Sequence, residues 1–114
     1  MKAIVCFGPS KNKLLQSIFK EDFQHCFVVL YPQDCVVIVD PTVDNINITV
    51  CKQEVLHTKM RPIRYAVEVD IGEAEQGILG LHSCVSHVKR IIGINKWWII
   101  TPQQLFKELV RGYF

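Results

Sequence analysis

The sequence predicts an α+β fold in which an antiparallel β-sheet packs against a helix carrying a candidate nucleophile. Three observations lead there. Apolar, β-branched runs separated by turn residues follow one another between Phe23 and Val50, the pattern of a strand meander. The stretch from Ser83 to Gly93 contains both a helix start and a helix stop. Apolar residues also recur at helical spacing near each end, at Leu14, Leu15, Ile18 and Phe19, and at Leu105, Leu109 and Val110. A chain of 114 residues holds one core and is too short for two, so a single domain over 1–114 is expected.

Ala3 to Phe7 reads as a first strand, ended by Gly8-Pro9-Ser10, and a short helix follows to about Lys20 with Ser10 as its cap. His25 to Tyr31 is strand-like, Pro32-Gln33-Asp34 is a turn, and Cys35 to Asp40 is a second, buried strand. Pro41 to Asn45 turns the chain again, and Ile46 to Val50 alternates as a strand with one polar face. Between Lys52 and Pro62, Val55, Leu56 and Met60 suit a short helix that the proline ends. Tyr65 to Asp70 is strand-like, and the polar stretch Gly72 to Gln76 leads through Gly77 to Leu81 into the helix of Cys84. Ser83 caps that helix and Gly93 stops it, with Lys89 and Arg90 placed where cations suit the helix dipole. Trp97 to Ile100 reads as extended, with one tryptophan expected in the core and one at the surface. Thr101-Pro102 opens a last helix that Gly112 ends.

Composition narrows the function. With 49% apolar and 21% charged residues the chain is a packed globule rather than a disordered one. A net charge of +2, from scattered Lys and Arg, gives no nucleic-acid footprint. The opening apolar run is cut by Gly8-Pro9, so neither a signal peptide nor a membrane span is expected. Five cysteines, an odd number without paired spacing, suit reduced thiols in a cytosol-like compartment. No cofactor is expected.

Cys84 is the candidate for chemistry. As first residue of a helix it meets unpaired N–H groups and the positive end of the dipole, both of which favour thiolate over thiol. On position alone a cysteine there is more often a small core residue than a nucleophile; Cys6, Cys26, Cys35 and Cys51 lie in or beside apolar strand-like runs and read as inert. A catalytic thiolate also needs an imidazole. His57 falls in the least readable stretch, His82 precedes the cap, and His87 lies toward the outer face of the helix. His25 opens a buried strand, and a two- or three-residue loop at Pro32 to Asp34 places it opposite Asp40 or beside it. Asp40 would then orient the ring and stabilise the imidazolium, although a carboxylate before Pro41 also suits a turn start.

A histidine opening one strand of a meander, a polar residue on the next, and later a cysteine at a helix start resembles circularly permuted papain-like domains. These are the permuted relatives of NlpC-type peptidases, including the lecithin retinol acyltransferase-like group. The blocks Gln24-His25-Cys26-Phe27-Val28-Val29, Val37-Ile38-Val39-Asp40-Pro41, Ser83 to Ile94 and Thr101-Pro102-Gln103-Gln104-Leu105 also resemble small bacteriophage proteins of that type. The resemblance runs from Phe23 onward. It implies Cys84 as nucleophile, His25 as general base and acid, Asp40 as orienter, and the backbone N–H groups of Cys84 and Val85 as an oxyanion site. Asn45 or Asn47 could take the third role, and Gln24 is a candidate side-chain oxyanion donor.

The expected activity is that of a thiol hydrolase or acyltransferase, peptidase- or amidase-like, acting on a peptide, isopeptide or acyl substrate through an acyl-enzyme. A host protein conjugate or peptidoglycan peptide fits a virus-type context, with the chain in the host cytoplasm or the virion. Two other readings compete. Cys84-x-x-His87, with His82 or with His25 and Cys26, could ligate zinc. Alternatively the fold could serve as a non-enzymatic interaction protein, with Trp97-Trp98 as contact surface.

Overall fold

The structure is a computed structural model that describes residues 1–42, 45–71 and 84–111. Five antiparallel strands, β1 (Lys2–Gly8), β2 (His25–Leu30), β3 (Val36–Pro41), β4 (Ile46–Cys51) and β5 (Tyr65–Asp70), form one sheet of order β4-β3-β2-β1-β5. The helices are α1 (Lys13–Ile18), α2 (Leu56–Lys59), α3 (Cys84–Ile92) and α4 (Pro102–Arg111), with 3₁₀ turns at Glu21–Phe23 and Gln53–Val55. This is the expected α+β arrangement, with the helix of Cys84 lying over β2 and β3 and α4 beside β5. Among the described residues no helix is long and apolar enough to cross a membrane.

Strand alternation divides the core in two. Ala3, Val5 and Phe7 of β1, Cys26 and Val28 of β2, and Val39 of β3 face α3 and α4, where Val85, Val88, Ile92, Leu105 and Leu109 cover them. Cys6, Phe27, Val29, Val36 and Ile38 point the other way and are covered by Leu56, Met60 and Ile63. The central strands are therefore buried on both faces, which accounts for the unbroken apolar run in β2.

Several expectations change. The first helix is capped by Asn12, whose Oδ1 accepts from the N–H groups of Leu14 and Leu15 at 2.9 and 3.2 Å; Ser10 instead accepts from Asn12 N–H in the preceding turn. That helix ends at Ile18, and its Leu14 and Ile18 are exposed, as is Val110 of α4. Residues 97–100 form no strand. Lys89 Nζ donates to the carbonyls of Lys96 and Ile99 at 2.9 and 2.6 Å, and Ile99 N–H closes back on Lys96, so the segment is held as a turn. Ile99 takes the core position there, while Trp97 and Trp98 both stand outside, 74% and 53% exposed.

The predicted ends of the last two helices are largely present. Gly93 stops α3 at φ +85°, with its N–H and that of Ile94 both on the Lys89 carbonyl. Thr101 Oγ1 accepts from Gln104 N–H, and Gln104 Oε1 accepts from the N–H groups of Ile100 and Thr101, a reciprocal cap. The expected Ser83 cap, the Gly77 to Leu81 approach and Gly112 lie outside the described residues.

Candidate active site

The site forms where the start of β2, the end of β3 and the start of α3 meet. The segment leading to β2 is anchored by aromatic packing. Phe23 stacks on Tyr65 of β5 at 5.1 Å between centroids and lies 5.2 Å from Phe106 of α4, which meets Phe7 edge-on at 5.4 Å. Such pairs add roughly 0.5–1.5 kcal/mol each beyond area burial, and here they set the backbone that delivers Gln24 and His25. Opposite His25 on β1 is Gly8, so no facing side chain crowds the ring.

His25 is 4% exposed, and its Nε2 lies 2.5 Å from Asp40 Oδ1. The route to this contact differs from the expected one. The β2–β3 connection spans residues 31–35, longer than a two- or three-residue loop, and the register pairs Val28 with Val39. Continued to the strand ends, that register sets Asp40 across from Phe27, on the face of His25 and diagonal to it, within reach of an imidazole. With Nε2 engaged, Nδ1 is the ring nitrogen left for a thiol.

Cys84 supplies that thiol. Its side chain is in hydrogen-bond contact with both the His25 imidazole and the Cys26 thiol. The Cys26 S–H bond is the strongest influence on Cys84. Burial opposes it, the hydrogen bond and charge of His25 add to it, and the Cys26 backbone contributes further, holding the Cys84 thiol down to about 5. Burial tends to lower the His25 pKa and the Arg61 charge does the same, but the Asp40 bond and the contact with Cys84 prevail and raise it. Cys26 itself is pushed well above the usual thiol range by burial. The favoured state is thus a Cys84 thiolate beside a His25 imidazolium, with Cys26 protonated.

Two contributors escaped the sequence reading. Arg61 Nη1 donates to both Asp40 oxygens at 3.3 Å and so shares Oδ1 with His25. It follows α2, where periodicity is weak, and no local pattern marks it. Its position depends on a close backbone approach, because a Cβ on Gly8 would collide with the Pro62 carbonyl oxygen. Cys26 is buried as expected yet is not merely inert filling, since it faces α3 and touches Cys84.

A cavity of about 390 Å³ opens on these groups, lined by His25, Cys84 and Arg61 and by the apolar side chains of Leu15, Phe19 and Ile100. Gln24 also lines it, but its Oε1 accepts from Ser10 N–H at 3.0 Å and its Nε2 donates to the Phe19 carbonyl, so the amide braces the loop before β2. Asn45 accepts from the Thr42 hydroxyl at 3.1 Å and Asn47 is exposed on β4; Asp40 is the polar residue bonded to His25. His57 is exposed on α2 and His87 half-buried on α3. Among the described residues no group of three or more His, Cys, Asp or Glu is arranged to hold a metal ion, and His82 lies outside them.

No family profile, curated protein or solved structure matches the chain.

Proposed function

We propose that the protein is a thiol hydrolase or acyltransferase, peptidase- or amidase-like, on a permuted papain-like fold. The observation that carries the reading is the contact of the Cys84 thiol with an imidazole whose Nε2 is held by Asp40. The Cys84 thiolate attacks a peptide, isopeptide or thioester carbonyl. The N–H groups of Cys84 and Val85, in the first turn of α3, face the developing oxyanion. The His25 imidazolium protonates the leaving group, the acyl group stays on Cys84, and His25, now neutral, draws a proton from water or an amine to release it. Asp40 keeps the ring oriented throughout, and Arg61 keeps Asp40 in place.

p-Nitrophenyl acetate tests this directly. A stoichiometric burst of nitrophenol with acetyl on Cys84, followed by slow turnover, is expected; Cys84→Ala abolishes both and His25→Ala suppresses the turnover. Acetyl spread over several cysteines and lysines without a burst would refute the assignment. Exposed Trp97 and Trp98, meeting edge-on at 6.0 Å, favour a second reading as an interaction protein, and that second result is the one it predicts.

A further inference from the structure

We propose that Cys26 is a resolving thiol for Cys84, so that a hydroperoxide converts the site to a reversible Cys26–Cys84 disulfide. This rests on the packing of Cys84, at the start of α3, against the buried cluster that holds Cys26 of β2, and is independent of acyl transfer. Cys26 is fully buried beneath α3, and the partly exposed Cys84 packs against it. An oxidant therefore meets Cys84 first. The other described thiols are placed elsewhere. Cys6 points to the opposite face of the sheet, while Cys51, paired with Val36, and the nearby Cys35 lie at the end of the sheet remote from His25.

The chemistry balances without further reactants. The Cys84 thiolate attacks the peroxide O–O bond, which breaks; sulfur is oxidised to the sulfenic acid, and the alcohol or water that leaves takes its proton from the His25 imidazolium. Cys26 sulfur then attacks the Cys84 sulfenic sulfur, the S–OH bond breaks, and the Cys26 proton leaves with hydroxide as water. Two thiols and one hydroperoxide become one disulfide, one alcohol and one water. A thiol reductant reverses the change by exchange. While it persists the nucleophile is blocked, and it is also kept from irreversible oxidation to the sulfinic acid.

The test treats the full chain with one equivalent of hydrogen peroxide near neutral pH, quenches with an alkylating reagent, and reads intact mass and peptide map. Expected are a mass lower by two hydrogens, a peptide pair linking Cys26 to Cys84, and full recovery with dithiothreitol. In Cys26→Ala, a second equivalent of peroxide should instead carry Cys84 past the sulfenic acid to the sulfinic acid, whose oxygens dithiothreitol does not remove. Sulfinic Cys84 beside a reduced Cys26 in the unmodified sequence would overturn the proposal, as would a disulfide from Cys84 to any other cysteine. Either result is readable even where the Cys26→Ala chain fails to fold, and neither depends on whether nitrophenyl ester is turned over.

Discussion

Replacing His25 by alanine should move the pH at which Cys84 becomes reactive, and the size of the effect depends on which rate is measured. With its pKa held at about 5, Cys84 is almost wholly thiolate at neutral pH; at the unperturbed 9.0 only roughly one per cent would be. Intrinsic thiolate nucleophilicity runs the other way, rising with pKa at a Brønsted slope of about 0.4–0.5. Across the span from about 5 to 9.0 that is a gain of roughly 40- to 100-fold per thiolate, which nearly cancels the lost population. A single rate near neutral pH is therefore a poor readout, and the midpoint of the pH profile is the informative one. Exchange with an aromatic disulfide, followed from pH 4 to 10 in a Cys35→Ser/Cys51→Ser background, should give a midpoint near 5 for the parent. His25→Ala should raise the midpoint while leaving it below 9.0, because the Cys26 hydrogen bonds remain, and should raise the plateau rate. Cys26→Ala removes the largest stabilising contribution and should shift it further. A parent midpoint near 9.0, or one that neither substitution moves, would refute the thiolate–imidazolium assignment.

Folding stability should follow the same pair. Cys84 has a depressed folded pKa, so its contribution is lost as pH falls through about 5, whereas His25, raised above 6.5, keeps its contribution below 6.5 and loses it at higher pH. Between about 5 and 6.5 the unfolded chain holds one proton more than the folded pair. Urea unfolding should therefore show stability rising there by at most about 1.4 kcal/mol per pH unit, a rise that Cys84→Ala removes. Asp40→Asn should reduce nitrophenyl acetate turnover by roughly a hundredfold; Arg61→Ala, which leaves the bond to His25 in place, should cost less, roughly tenfold in initial-rate assays. Lys89→Met should destabilise the chain by roughly 1–3 kcal/mol in denaturant titrations, because the buried Ile99 carbonyl loses the Lys89 donor and the half-buried Lys96 carbonyl is left with the Ile99 N–H alone.

What the sequence determined by itself were the features settled within a few residues. Gly93 stops α3 because the backbone there needs positive φ, Thr101 and Gln104 close the start of α4 on each other, and turn residues separate the strands of the meander. The candidate pair of Cys84 and His25 was legible for the same reason, each standing at the first residue of an element whose start local chemistry announces. Tertiary structure decided everything that depends on which faces meet. The apolar spacing of α1 could not show that Leu14 and Ile18 stay outside, nor could Trp97 and Trp98 show that Lys89 would hold their segment in a turn. The diagonal reach of Asp40, the Arg61 brace and the contact of Cys26 with Cys84 join residues from 15 to 58 positions apart by number in the chain. Local periodicity reports only which side of an element is apolar; sheet register and the docking of α3 select the partner that each polar group on it finds.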